Sequence, residues 1–341
     1  MRVDLRSDTV TMPTEELRRV IAKAPVGDAG YGDDPSVNEL QELAAHMTGM
    51  EKALFFPSGV MANICALLTL GQMGQSVAIG RRAHIYQYEA GGLSAFAGLL
   101  PKPLDDSQGL PQAKDLALLH RPVDVHFPPL SILALENTHN DCGGIASTPD
   151  EQLAVVQQAR KMGLKIHLDG ARLPNAAVAC GASLADYGRQ VDTVQICLSK
   201  GLGAPMGSVL CGSADLMKEA AFHRKRLGGE MRQVGLMAAA GTWVLKNNMD
   251  RLEEDHQRAQ RLASELKKAG FEVEDCRRRT NMVYFTLPEG APSDEEFSRR
   301  CVEKGLLFNV EGPRRVRLVT SLEVTDEGID WALKVMEEAL A

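Results

Sequence analysis

The sequence lacks what several large protein classes require. Its seven cysteines, at positions 65, 142, 180, 197, 211, 276 and 301, are odd in number and form no C-x-x-C pair. That pattern suggests neither a disulfide framework nor a zinc site, and no metal is expected. A reducing cytoplasm is then the simplest compartment. No apolar run is long enough to span a bilayer, so no membrane partner is expected. The opening Met1-Arg2-Val3-Asp4-Leu5-Arg6 is charged and has no apolar core of the kind a secretory signal needs. Positive charge is not in excess: the net charge of -7 argues against nucleic acid as the main partner, although a local basic pocket is compatible with it. No G-x-G-x-x-G follows the first expected strand, which disfavours a nicotinamide-dependent oxidoreductase of doubly wound type. Internal repeats and low-complexity segments are also absent.

What is present is a large apolar reserve. Hydrophobic residues make up 44% of 341, enough for a sizeable core and about two domains. Short apolar runs at Ser76–Ile79, Leu130–Leu135, Lys165–Leu168, Val191–Leu198 and Ser208–Cys211 read as strands. Between and before them, Glu39–Met47, Asn63–Leu70 and Glu151–Met162 read as helices, the last opened by Ser147-Thr148-Pro149-Asp150. Strands alternating with helices indicate an α/β protein with a largely parallel sheet covered on both faces. After about Gly241 the texture changes. Trp243–Ala269 reads as one long amphipathic helix linking two domains. Strands at Phe271–Glu274, Met282–Leu287 and Val316–Thr320, with helices at Ser293–Lys304 and Asp326–Leu340, make a small α+β unit. The expected division is an N-terminal arm over 1–16, a large domain over 17–246 and a small domain over 247–341.

Two of the strand ends carry chemistry. Leu164-Lys165-Ile166-His167-Leu168 runs into Asp169-Gly170-Ala171-Arg172, and Val194–Leu198 runs into Ser199-Lys200-Gly201-Leu202-Gly203. Ligands of open α/β sheets bind beyond the carboxyl ends of strands. A lysine and an aspartate placed there suit pyridoxal 5'-phosphate (PLP). The amine makes a Schiff base with the aldehyde, and the carboxylate keeps a proton on the pyridine nitrogen. Pro57-Ser58-Gly59-Val60-Met61-Ala62-Asn63, a glycine turn entering a helix, is the candidate phosphate cradle. His84 follows a strand and is placed to stack on a ring. His126, after Asp124, suits proton exchange with a substrate hydroxyl. Arg315 and Arg317 share one strand face, and an arginine fork suits an amino-acid carboxylate. Arg224–Gln233 reads as a basic, glycine-containing loop fit for phosphate. Each of these residues also has an ordinary alternative: a surface lysine, a turn aspartate, an N-capping serine, loop histidines, a solvated basic strand edge, a flexible loop. His139 and His167 have no special context, and His167 reads as a strand residue.

Taken together and in order, Asp4–Thr11, Tyr31-Gly32-Asp33-Asp34-Pro35, Leu135-Glu136-Asn137-Thr138-His139-Asn140, Asp169–Arg172 and Cys197–Gly203 resemble the L-threonine aldolase family, including its low-specificity and L-allo-threonine members. The resemblance runs nearly the full length. It implies the PLP-dependent, aspartate aminotransferase-like fold (fold type I), with a large mainly parallel domain and a small C-terminal one. It implies reversible cleavage of L-threonine or L-allo-threonine to glycine and acetaldehyde, in a cytoplasmic homotetramer built as a dimer of dimers. Lys200 would hold the cofactor, Asp169 its pyridine nitrogen and His84 its ring face. Ser58, Gly59 and Val60 would hold the phosphate, with Lys225 and Arg232 reaching it from a neighbouring subunit. Ser7, Arg172 and Arg317 would hold the substrate carboxylate, with Arg172 also near the cofactor's phenolic oxygen, and Tyr88 and His126 would line the side-chain pocket. The chain departs from the family at Glu230, where a third glycine is frequent, and at Val60, where threonine is more usual. Rival expectations are a β-eliminating lyase, a serine hydroxymethyltransferase, or a PLP-binding protein without turnover. The base that takes the hydroxyl proton is left open among His84, His126 and water.

Overall fold

The structure is a computed structural model that describes residues 1–122 and 124–340; Val123, just before the Asp124–His126 segment, and the terminal Ala341 lie outside the described residues. The chain opens on a two-residue strand, β1 (Val3–Asp4). A central sheet then takes β2 (Lys52–Phe56), β3 (Ser76–Gly80), β4 (Leu100–Leu104), β5 (Leu130–Glu136), β6 (Lys165–Gly170), β7 (Thr193–Cys197) and β8 (Ser208–Gly212). Their order across the sheet is β2-β8-β7-β6-β5-β3-β4. β8 runs antiparallel to both its neighbours, and every other pairing in this sheet is parallel. The five strands expected here are present, with ends shifted by a residue or two. Sequence reading passed over β2 and β4. The two prolines of Leu100-Pro101-Lys102-Pro103-Leu104 hide a strand, and they are tolerated because β4 is the sheet edge.

Alternation along each strand sorts the two faces. Leu133, Leu135, Ile166, Leu168, Val194 and Ile196 point into one large apolar cluster, which includes Leu40 and Ala44 of the helix Pro35–Thr48. The opposite face buries Ile79, Ile132 and Ala134 on one side and Phe56 and Leu210 on the other against the helix Gly59–Leu70. His167, Asp169, Thr193 and Gln195 belong to this second face. The site is therefore built under the Gly59 helix.

Beyond residue 270 a four-stranded antiparallel sheet forms from β9 (Glu272–Val273), β10 (Met282–Thr286), β12 (Asn309–Val310) and β13 (Arg315–Val319), in the order β12-β13-β10-β9. β11 (Leu306–Leu307) pairs in parallel with β1. Val3 and Leu5 are buried in the same apolar cluster as Phe285, Phe297 and Met336, so the N-terminal segment packs as part of this second core.

Two expectations are corrected. Trp243–Ala269 is not one helix but two, Gly235–Asn247 and Leu252–Lys268. The break has a local cause: Asn248 turns its side-chain amide onto the Leu202 carbonyl, 2.6 Å away, rather than continuing the helix. Arg224-Lys225-Arg226 is not loop but the last turn of the helix Ala214–Arg226, where cations favour the negative end of the dipole.

The Pro35–Thr48 helix depends on one side chain. Asp34 caps it, accepting from the amides of Ser36 and Val37 through Oδ1, while Oδ2 accepts from Gly235 at 2.9 Å. Proline at the first helical position completes the start signal. Asp34 is fully buried, so Asp34→Ala strands three backbone donors. The expected cost is about 2–4 kcal/mol, read as a lower denaturant midpoint at unchanged slope. An unchanged midpoint would remove Asp34 from this role.

Candidate active site

The sheet register brings Asp169 of β6 beside Gln195 of β7, with His167 beside Thr193 one step earlier. Asn63, in the second turn of the Gly59 helix, lies across them. Its Nδ2 donates to Asp169 Oδ2 at 3.0 Å and to Glu89 Oε1 at 2.8 Å, and its Oδ1 lies 3.0 Å from His167 Nε2. His84 Nδ1 lies 3.0 Å from the same Glu89 oxygen, and the His84 backbone amide donates to Glu136 at 2.7 Å. One buried amide thus ties together a strand-end carboxylate, a core histidine and the carboxylate that orients His84. Ligand-capable atoms of His84, Glu89 and Asp169 lie within 4.8 Å of one another, and these hydrogen bonds engage them.

Protonation follows from this packing. Burial pushes the Glu89 carboxyl up, and its bonds to His84 and Asn63 offset that only in part. For His84, burial alone would lower the pKa, but the bond to Glu89 and the charges of Asp169 and Glu136 outweigh it and raise it. Both directions keep a proton on the His84–Glu89 pair. Lys200, beyond the end of β7, is close enough for its charge to lower the pKa of both His84 and Asp8. The turn after it closes with Gly203 donating to the Lys200 carbonyl at 2.8 Å.

The phosphate cradle expected at Ser58–Val60 is the first turn of the Gly59–Leu70 helix. Ser58 Oγ caps Met61, and the first intrahelical bond runs from Ala62 to the Ser58 carbonyl, so the amides of Gly59 and Val60 precede the ladder. A Cβ on Gly59 would lie 2.9 Å from Gln195 Nε2, so the turn and the Gln195 side chain are in close approach. Open amides on a glycine turn, a strand-end aspartate and a nearby lysine fit PLP.

The residues expected to hold a substrate carboxylate converge on the N-terminal segment. Arg172 Nε and Nη2 bind Asp8 at 2.8 and 2.7 Å in a buried bidentate pair, leaving Nη1 toward Asn140 at 3.4 Å. Burial alone would raise the Asp8 pKa, but Arg172, Lys200 and Asn281 bring it down to about 2. On the other side, Arg317 donates to the Arg6 carbonyl at 3.2 Å. Ser7 therefore stands between the anchor points of the two arginines. Arg315, on the same strand face, is engaged by Asp141 and Glu274 and stacks over Tyr284. Tyr88 is exposed, its ring 5.7 Å from that of His84 and near enough to feel Arg315 and Arg317.

Other expected residues do not join this group. His126 has a side chain 79% exposed and is paired with Asp124 at 2.6 Å. Its segment borders a cleft of about 490 Å³ lined by Ser76, Asp124, Phe127, Leu130 and Leu164, at the amino ends of β3, β5 and β6. Asp169 and Lys200 are at the carboxyl ends, so His126 is corrected out of the site of its own chain: it lies before its strand, and the chemistry lies after. Lys225 contacts Glu230, and Arg232 lies 3.6 Å from Asp28; both cations are exposed and pair within their own surface. Sequence reasoning missed Asp8, Asn63, Glu89 and Glu136, although three of them stood inside segments it quoted and Glu89 lies five residues after His84.

His167 supplies a pH test. Burial lowers its pKa from 6.5 to about 4, with Asp169 and Thr193 offsetting only part. The unfolded chain takes up a proton near pH 6.5 that the folded chain refuses until about pH 4. Stability tied to this group is whole above pH 6.5 and is lost as pH falls through that window, by up to about 3 kcal/mol. His167→Gln should flatten this acid-side loss relative to the parent in unfolding measured from pH 7 to 4; parallel curves would show that His167 does not titrate as inferred.

The model of the β-eliminating lyase family matches residues 4–288. Low specificity L-threonine aldolase of Escherichia coli strain K12 is 42% identical over 328 residues, covering 95% of each chain. Among solved structures, Leishmania major threonine aldolase superposes with a TM-score of 0.83 at 19% identity, over 98% of this chain and 99% of that one. A structure described as SPT with its PLP internal aldimine superposes at 0.77 and 17% identity, over 99% and 87%. The aspartate aminotransferase-like fold expected from the sequence is the one present. The chain belongs to the β-eliminating lyase family and, within it, to the low-specificity L-threonine aldolases.

Proposed function

We propose that the protein is a PLP-dependent carbon–carbon lyase that cleaves L-threonine and L-allo-threonine reversibly to glycine and acetaldehyde. The observation that carries this is the convergence of His84, Asp169 and Lys200 at the carboxyl ends of β3, β6 and β7, beside the open amides of the Gly59 helix. When bound, PLP supplies an electron sink for the pair released as the Cα–Cβ bond breaks. Lys200 would hold the cofactor, Asp169 would keep a proton at its ring nitrogen, and Ser58, Gly59 and Val60 would hold its phosphate. Ser7, Arg317 and the remaining Nη1 of Arg172 would hold and orient the substrate carboxylate. His84 has Nδ1 fixed by Glu89, which presents Nε2 to the β-hydroxyl, and it takes that proton as acetaldehyde leaves. A proton returned to Cα completes glycine.

The subunit arrangement belongs to the same proposal. Lys225 and Arg232 reach a phosphate only by crossing to a neighbouring subunit, and the homotetramer expected from the resemblance provides neighbours. His126 grips a substrate hydroxyl only if a second subunit delivers it. Among the described residues no helix is long and apolar enough to cross a membrane; the cytoplasmic location stays with this proposal.

Purified protein with PLP should yield acetaldehyde and glycine in equal amounts from L-threonine. Lys200→Ala should abolish this, and His84→Ala should lower kcat roughly 10²–10⁴-fold. Ammonia with a keto acid would move the protein to β-elimination, and a requirement for tetrahydrofolate to hydroxymethyl transfer. Near-normal turnover by Lys200→Ala would overturn the mechanism. His126→Ala should change the ratio of threonine to allo-threonine turnover; an unchanged ratio removes His126 from the reaction.

A further inference from the structure

Gln195 is fully buried, yet neither its Nε2 nor its Oε1 has a hydrogen-bond partner among the described residues. Buried amides are rarely left so, because each orphaned donor or acceptor costs free energy. The neighbouring Ser208 hydroxyl is also buried and unpartnered. Both lie on the sheet face that carries Asp169: Gln195 is in register with Asp169 across β6–β7, and Ser208 is in register with Cys197, two residues further along β7. Both also lie under the same point of the covering helix, 2.9 and 3.4 Å from where a Gly59 Cβ would be. The free amide is thus aimed at the N-terminal turn whose Gly59 and Val60 amides precede the helical ladder.

We infer that Gln195 is a further cofactor-binding residue, its side-chain NH2 donating to the phosphate held at the N-terminus of the Gly59 helix. The inference rests on the reading of that turn as the PLP phosphate cradle. The chemistry suits the position. An anion at a helix N-terminus already meets the positive end of the dipole. A buried cation at Gln195 would sit beside Asp169 and compete with the pyridine nitrogen for its charge, whereas a neutral amide adds a donor and leaves that carboxylate alone. Neither amide atom is committed elsewhere, so the group is free to rotate its NH2 toward the anion.

The test uses PLP against pyridoxal, which lacks the phosphate, each titrated into the full-length apo-protein and followed by absorbance. Gln195→Met keeps the volume and removes the donor. It should weaken PLP roughly 10- to 100-fold, the worth of one hydrogen bond to a charged group, and leave pyridoxal affinity unchanged. Gln195→Glu, of the same shape, replaces the donor by an acceptor and should weaken PLP further than Gln195→Met does, and weaken PLP more than pyridoxal. Inorganic phosphate should compete with PLP less well in both variants. Thermal melting of the apo forms separates a folding defect, which would weaken both ligands alike. Equal weakening of PLP and pyridoxal, or unchanged PLP affinity, would overturn the role of Gln195 while leaving the cofactor site standing. A parent protein that takes up no PLP would overturn both.

Discussion

The buried pair between Arg172 and Asp8 holds the site in register. Arg172 follows the end of β6, Asp8 follows the N-terminal strand, and Asn281, at the start of β10, donates to the same carboxylate at 3.1 Å. Three distant parts of the chain therefore meet at one desolvated charge. Such a pair adds little net stability over an apolar substitute, but losing one partner leaves a buried charge uncompensated. Its value is positional. With Asp8 fixed, the Arg6 carbonyl falls to Arg317 and Ser7 lies between the two guanidinium groups.

A second economy is electrostatic. The chain carries net negative charge, and three carboxylates crowd the region of His84. Repulsion is contained by hydrogen bonding and a retained proton. Asn63 donates to two of the carboxylates from one NH2, His167 stays neutral against its oxygen, and the His84–Glu89 pair retains a proton. An amide suits this task because it is dipolar and carries no charge that would pull protons from its neighbours.

How much of this the sequence disclosed depends on the range of each interaction. Asp169 and Lys200 were legible because an apolar strand that ends in a polar residue and glycine is a local pattern with a known place in α/β sheets. The Ser58 cap was legible for the same reason. Asn63 and Gln195 were not, since their roles come from strand register and a helix laid over it, and the intervening 100 or more residues leave no trace of that in either segment. His126 misled because an Asp-x-His spacing is equally local but says nothing about which end of β5 it occupies. Likewise the continuous amphipathic pattern from Trp243 onward concealed a break whose cause, the Leu202 carbonyl, lies 46 residues earlier.

That break has a mechanical meaning. Asn248 is fastened to the carbonyl of Leu202, and Arg251 reaches that of Gly201 at 3.4 Å. The helix beginning at Leu252 is in turn fastened to the end of β13, where Thr320 donates to the Asp255 carbonyl at 2.7 Å. A short lever thus runs from the strand that carries Arg317 to the backbone one and two residues past Lys200. The strand that carries Arg317 and the turn that carries the lysine are joined through one helix start by three hydrogen bonds.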